Sequence, residues 1–76
     1  MNSFPSTEMI NRLREQYPVG CRIELVCMKD HYSKLKPGDR GSVMFIDSIG
    51  TIHMRWDSGS TLGLIIGEDR FRRVVE

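Results

Sequence analysis

Residues 51–64 read Thr51-Ile-His-Met-Arg-Trp-Asp-Ser-Gly-Ser-Thr-Leu-Gly-Leu64. The first half alternates. Ile52, Met54 and Trp56 fall on one face of an extended chain, and His53, Arg55 and Asp57 fall on the other. Ser58-Gly59 interrupts the pattern, which then resumes. A two-residue loop ending in Gly between alternating runs signals a β-hairpin, because Gly accepts the positive φ that such turns demand. The stretch therefore predicts a tight hairpin, with strands over 51–57 and 60–65 and Trp56 just before the turn.

Outward from the hairpin, residues 42–47 read as the preceding strand, with Val43 and Phe45 on one face and Met44 and Ile46 on the other. Asp47-Ser48-Ile49-Gly50 makes the turn between the two. Residues 21–28 read as the first strand. Cys21, Ile23, Leu25 and Cys27 share a face, with Arg22 and Glu24 opposite. The alternation blurs at Val26 and Met28, which implies burial on both sides there. A long polar connection spans 29–40. It ends in the turn Pro37-Gly38-Asp39 and at Gly41, where a backbone angle closed to other residues is expected. Residues 66–69 form a short turn and 71–75 a fifth strand. At the other end, 6–16 read as a helix. Ser6 or Thr7 caps it, Glu8 suits its first turn, and Pro18 and Gly20 end it. Met9, Ile10, Leu13 and Tyr17 share its apolar face.

One helix followed by five short strands defines the fold class: mainly β, a small SH3-like five-stranded antiparallel barrel with one N-terminal α-helix. Closure removes the sheet edges that an open sheet of this size leaves exposed. An open, OB-like, partly closed barrel is the alternative. The helix is too short to be stable alone, so it must dock on the sheet or on a partner.

The chain has 76 residues, 39% hydrophobic and 28% charged, with a formal net charge of +1. That suits one globular domain over 1–76, the helix at 6–16 and the barrel at 20–75. A chain of this length buries only about 60% of its unfolded surface. It holds one compact core and no deep cleft. The balanced charge does not argue for strong nonspecific nucleic-acid binding, although Lys34, Lys36 and Arg40 cluster in one segment and Arg70, Arg72 and Arg73 in another. With no apolar run long enough for a membrane span and no signal-peptide pattern, the expectation is a cytoplasmic protein without membrane contact.

Cys21 and Cys27 would lie roughly 20 Å apart on one strand, at about 3.3 Å per residue. A disulfide needs its Cα atoms within about 7 Å, so two free thiols are expected. With His31 and His53 they make four potential metal ligands, but no paired-cysteine knuckle of a structural zinc site is present. No nucleophile stands beside an oriented base, and no phosphate-cradling loop occurs. Neither an enzyme nor a cofactor is predicted. Trp56 shares a face with Ile52 and Met54 and reads as core. Tyr32 sits in a polar loop, where an aromatic side chain suits contact. Beside it the expected partner-binding surface takes in Lys34, Lys36 and Arg40 from the loop, and His53 and Arg55 from the outer face of the third strand. Strand order decides whether Arg22, Arg72 or Arg73 joins them; Glu24 and Asp57 are positioned to neutralise those arginines. Met44, Ile46 and Ile65, opposite the expected core, would form a patch suited to a homodimer.

Three runs carry a resemblance: residues 17–26 (YPVGCRIELV), 35–43 (LKPGDRGSV) and 52–64 (IHMRWDSGSTLGL). Together they resemble an uncharacterised domain-of-unknown-function family of short proteins and modules from bacteria, phages and mobile elements, over about residues 9–75. The turn Pro37-Gly38-Asp39-Arg40-Gly41 also resembles that of KOW-type and other SH3-like barrels. The resemblance implies a fold and a genomic setting. On that setting the expected function is a small non-enzymatic binding module, phage or mobile-element encoded. It would occupy a partner surface as an inhibitor of host defence, directed at a nuclease complex or a charged nucleotide signal. The alternatives are a nucleic-acid-binding accessory factor, as KOW-like barrels often are, and an oligomer-forming structural phage protein.

Overall fold

A computed structural model of the protein describes residues 6–28 and 34–75. It contains one helix, α1 (Thr7–Gln16), and five strands: β1 (Arg22–Cys27), β2 (Arg40–Ile46), β3 (Thr51–Trp56), β4 (Leu64–Ile65) and β5 (Arg70–Arg73). These five strands pair antiparallel within one sheet of order β4-β3-β2-β1-β5. The mainly β class with an N-terminal helix is as expected. Strands β4 and β5 sit at opposite ends of that order yet follow each other through residues 66–69. A flat sheet would hold them about 19 Å apart, at roughly 4.8 Å per strand. The linking segment folds back on itself, with Glu68 and Asp69 N–H groups both donating to the Ile65 carbonyl oxygen. The sheet must therefore curl, and the domain is barrel-like.

The core lines the inside of this curl. Ile23, Leu25, Ile52, Met54, Trp56 and Leu64 are almost fully buried, and Cys21, Leu35, Val43 and Ile46 complete the cluster. Among the described residues no polar side chain is buried. Trp56 is core, as its spacing predicts; its indole Nε1–H donates to the Leu62 carbonyl oxygen at 2.8 Å, which satisfies its one polar group. Ser6 caps α1, its hydroxyl accepting from Met9 N–H at 3.2 Å. The helix buries Ile10 and sets Leu13 and Tyr17 against the core. Arg14 reaches from α1 to the Ile46 carbonyl oxygen with Nε at 3.2 Å and Nη2 at 2.9 Å. Arg73 donates to the carbonyl oxygen of Gln16. The helix thus docks on its own sheet. Met9, expected on the docking face, is 55% exposed. Among the described residues no helix is long and apolar enough to cross a membrane.

Several local expectations are corrected. A β-bulge between Val43 and Phe45 resets the alternation of β2, so Ile46 turns inward to the core while Met44 and Phe45 are both exposed. The apolar patch of Met44, Ile46 and Ile65 therefore loses its middle member. A second bulge, between Leu25 and Cys27, turns Cys27 outward. Val26 is 46% exposed and not covered on both sides. Both cysteines are free thiols, Cys21 buried and Cys27 exposed. The hairpin loop is longer than two residues. Trp56 N–H donates to Ser60 and Gly59 N–H to Trp56, and strand pairing resumes only at Leu64–Ile65, so strand 60–65 contracts to its last two positions. Gly41 has no unusual backbone angle; Gly38, in the turn before it, has φ 97°.

Candidate functional site

Three strands supply the outward face of the sheet. Ile23 and Leu25, Gly41 and Val43, and Met54 and Trp56 point inward, so the residues between them point out. Register then fixes neighbours. Arg55 lies opposite Ser42, and Ser42 opposite Arg22. In the next row Arg40 lies opposite Glu24, and Glu24 opposite Arg72. His53 lies opposite Phe45. Adjacent members of a row are about 5 Å apart across the strands. The face thus joins Arg22, Arg40, Arg55 and Arg72 around Glu24 and Asp57.

The carboxylates hold three of these arginines in place. Arg22 makes a two-pronged contact with Asp57, Nη1 to Oδ1 at 2.8 Å and Nη2 to Oδ2, and also donates to Ser42 Oγ at 3.1 Å. Glu24, only 18% exposed, accepts from Arg40 Nε at 3.0 Å and from Arg72 Nη2 at 2.9 Å. The hydrogen bonds from Arg40 and Arg72 hold the Glu24 carboxyl below the ordinary carboxylate range, and that from Arg22 does the same for Asp57. Arg55 is exposed and makes no hydrogen bond or ion pair among the described residues. The paired guanidiniums are fixed in direction, and their pairing leaves the face with a surplus of positive charge.

At the margin of this face, His53 and Phe45 stack with centroids 4.2 Å apart and planes 12° from parallel. Asp47 fixes the imidazole, its Oδ2 lying 2.8 Å from Nε2. The other oxygen of Asp47 accepts from Ile49 and Thr51 N–H groups, bracing the turn between β2 and β3. The contact with His53, together with these two backbone donors, lowers the Asp47 pKa. Phe45 is 49% exposed and also borders a groove of about 400 Å³ lined by Arg14, Tyr17, Val19, Phe45 and Ile46. A second, more open groove of about 570 Å³ runs past Tyr17, Val26, Ile66, Asp69, Arg70 and Phe71.

Of the residues expected at the contact surface, the structure brings Arg40, His53 and Arg55 to one face. Lys34 and Lys36 are exposed on the connection into β2. That connection is anchored by buried Leu35, by Lys36 N–H on Asp39 Oδ2, and by Gly38 N–H on the Leu25 carbonyl oxygen. Tyr32 and His31 lie outside the described residues. Arg22 and Arg72 join the face, whereas Arg73 turns to the helix. Sequence reasoning missed Phe45, because the period-2 pattern assigned it to the core and only the bulge reverses it. Among the described residues no three His, Cys, Asp or Glu side chains gather as metal ligands would.

No curated protein and no solved structure matches the chain. The model of one family, described as "Domain of unknown function (DUF4314)", matches residues 6–74, nearly the whole chain, and the protein belongs to that family.

Proposed function

We propose that this protein is a non-enzymatic binding module that offers the outward face of its sheet to an anionic partner. The observation that carries the reading is the arginine set of Arg22, Arg40, Arg55 and Arg72, with Arg55 unengaged among the described residues and the others oriented by carboxylates. Guanidinium groups held in fixed directions suit carboxylate and phosphate groups, and pre-orientation lowers the entropy lost on binding. Lys34 and Lys36 extend the positive surface beside β2. The face is shallow and built from side chains that pair with one another, which suits occupation of a surface rather than enclosure of a reacting molecule.

The genomic setting implied by the resemblance gives this reading one concrete form: a phage or mobile-element protein that covers a nuclease complex, or a charged nucleotide signal, of bacterial defence. That form rests on the resemblance alone. The test is capture from bacterial lysate in rising salt, with mass spectrometry of bound proteins and small molecules, comparing the native protein with Arg55→Glu. The expected result is a partner released by salt and lost from the variant. A partner held equally by both, and indifferent to salt, would overturn the reading.

A further inference from the structure

Phe45, beside the likewise exposed Met44, is a large apolar ring that is 49% exposed. One side of it is covered by His53, at 4.2 Å and 12°, and His53 is itself tethered by Asp47. The ring is therefore held in one orientation without being covered. It also borders the groove of about 400 Å³ shared with Tyr17, Val19 and Ile46, which leaves its second side for an occupant. Arg55 lies two residues beyond His53 on the same face of β3, opposite Ser42 and next in line to Arg22. A flat ring with the unengaged guanidinium of Arg55 alongside is a combination that acidic proteins do not require, since carboxylates need the charge but not the aromatic surface. Unpaired nucleotides use both: the base stacks and the phosphate pairs.

We propose that the anionic partner of this face is single-stranded nucleic acid, with one unpaired base stacked on Phe45 against the groove and the adjoining phosphate on Arg55. This rests on the anionic-partner reading above and narrows it. Duplex bases are stacked on one another and offer no face to Phe45, so unpaired segments are selected. A free nucleotide presents the same base and phosphate chemistry at a single position.

The experiment is a polarisation titration with a labelled single-stranded 12-nucleotide DNA, an abasic strand of the same length and a blunt duplex, each at two salt concentrations. The single strand is expected to bind more tightly than the other two, and to weaken as salt rises. Loss of one stacked base through Phe45→Ala lowers single-strand affinity by about tenfold and leaves abasic binding unchanged. Phe45→Leu, which keeps apolar bulk without the ring, behaves like Phe45→Ala; melting curves verify that both variants are folded. Arg55→Ala weakens single-strand and abasic binding alike and flattens the salt dependence. Displacement by a mononucleotide at concentrations comparable to the strand identifies a free nucleotide as the source of the same chemistry. Equal binding of native protein to normal, abasic and duplex probes, or no effect of either Phe45 variant, overturns the base site but leaves the anionic-partner reading standing. Binding to polyglutamate with none to any nucleic acid assigns the face to an acidic protein and also overturns the base site. Absence of salt-sensitive binding to every polyanion removes both.

Discussion

Gly41 lies opposite Trp56, and a methyl group in place of its hydrogen would come within 2.8 Å of the Arg55 carbonyl oxygen and 2.9 Å of Trp56 Cα. Both are backbone atoms in the most fully paired part of the sheet, so neither yields easily. The residue is glycine for want of space, not for want of conformational freedom. Gly41→Ala is expected to destabilise the fold by about 1–3 kcal/mol through overpacking, measured as a fall in the urea midpoint with an unchanged slope. The same substitution pushes apart the two strands that present Arg40 and Arg55, so the outward face reports the strain as well. Gly38 is the contrasting case: its φ of 97° requires glycine, yet a Cβ there meets nothing.

At the scale of elements, α1 is a helix of 10 residues. Its capping and docking must supply what its length cannot, since an isolated helix this short is marginal in water. Ser6 provides the start, and Arg14 ties its second half to the carbonyl of Ile46. Removing the cap with Ser6→Ala is expected to cost about 1 kcal/mol, read as a lower midpoint in thermal or urea melts, with larger loss of amide-exchange protection in α1 than in β3. Equal loss in both would mean that helix and sheet open only together. The bulge in β2 is the other element-scale device. It lets one strand turn Val43 and Ile46 inward while giving Met44 and Phe45 to solvent. That strand thereby serves the core and the aromatic margin of the candidate site together.

Across the whole molecule, charge pairing is concentrated on one surface. Glu24, Asp47 and Asp57 each accept from a basic side chain, and each is held below its ordinary pKa, chiefly by that hydrogen bond. A carboxyl whose folded pKa is depressed contributes stability that is fully present above its unfolded pKa and is lost as pH falls through the folded value. Melting temperature is therefore expected to carry the full contribution of these three groups, with no pH dependence from them, above the carboxylate range and to drop as pH falls through it. Glu24→Gln should shallow that acid limb while lowering stability at neutral pH; a limb of unchanged steepness in the variant would show that the Glu24 pairs contribute nothing. Protonating Glu24 also releases Arg40 and Arg72, so acid leaves the face more positive but less ordered.

The alternating runs, a cap at Ser6 or Thr7 and the turn glycines make the helix, the strands around Ile23, Val43 and Met54, and the burial of Trp56 legible in the sequence. Periodicity and capping are local properties, and the chain carries them directly. His53 and Arg55 were legible as outward residues for the same reason. What the sequence left open was everything set by how distant segments meet. The two bulges, which reverse Cys27, Phe45 and Ile46, follow from strand pairing and leave no mark in the periodic pattern. Strand order brought Arg22 and Arg72 to Glu24 and Asp57 and sent Arg73 to the helix, because a residue's neighbours across a sheet belong to other strands. Tertiary packing alone decided that Gly41 must be small, since the atoms that crowd it come from Arg55 and Trp56 across the ladder.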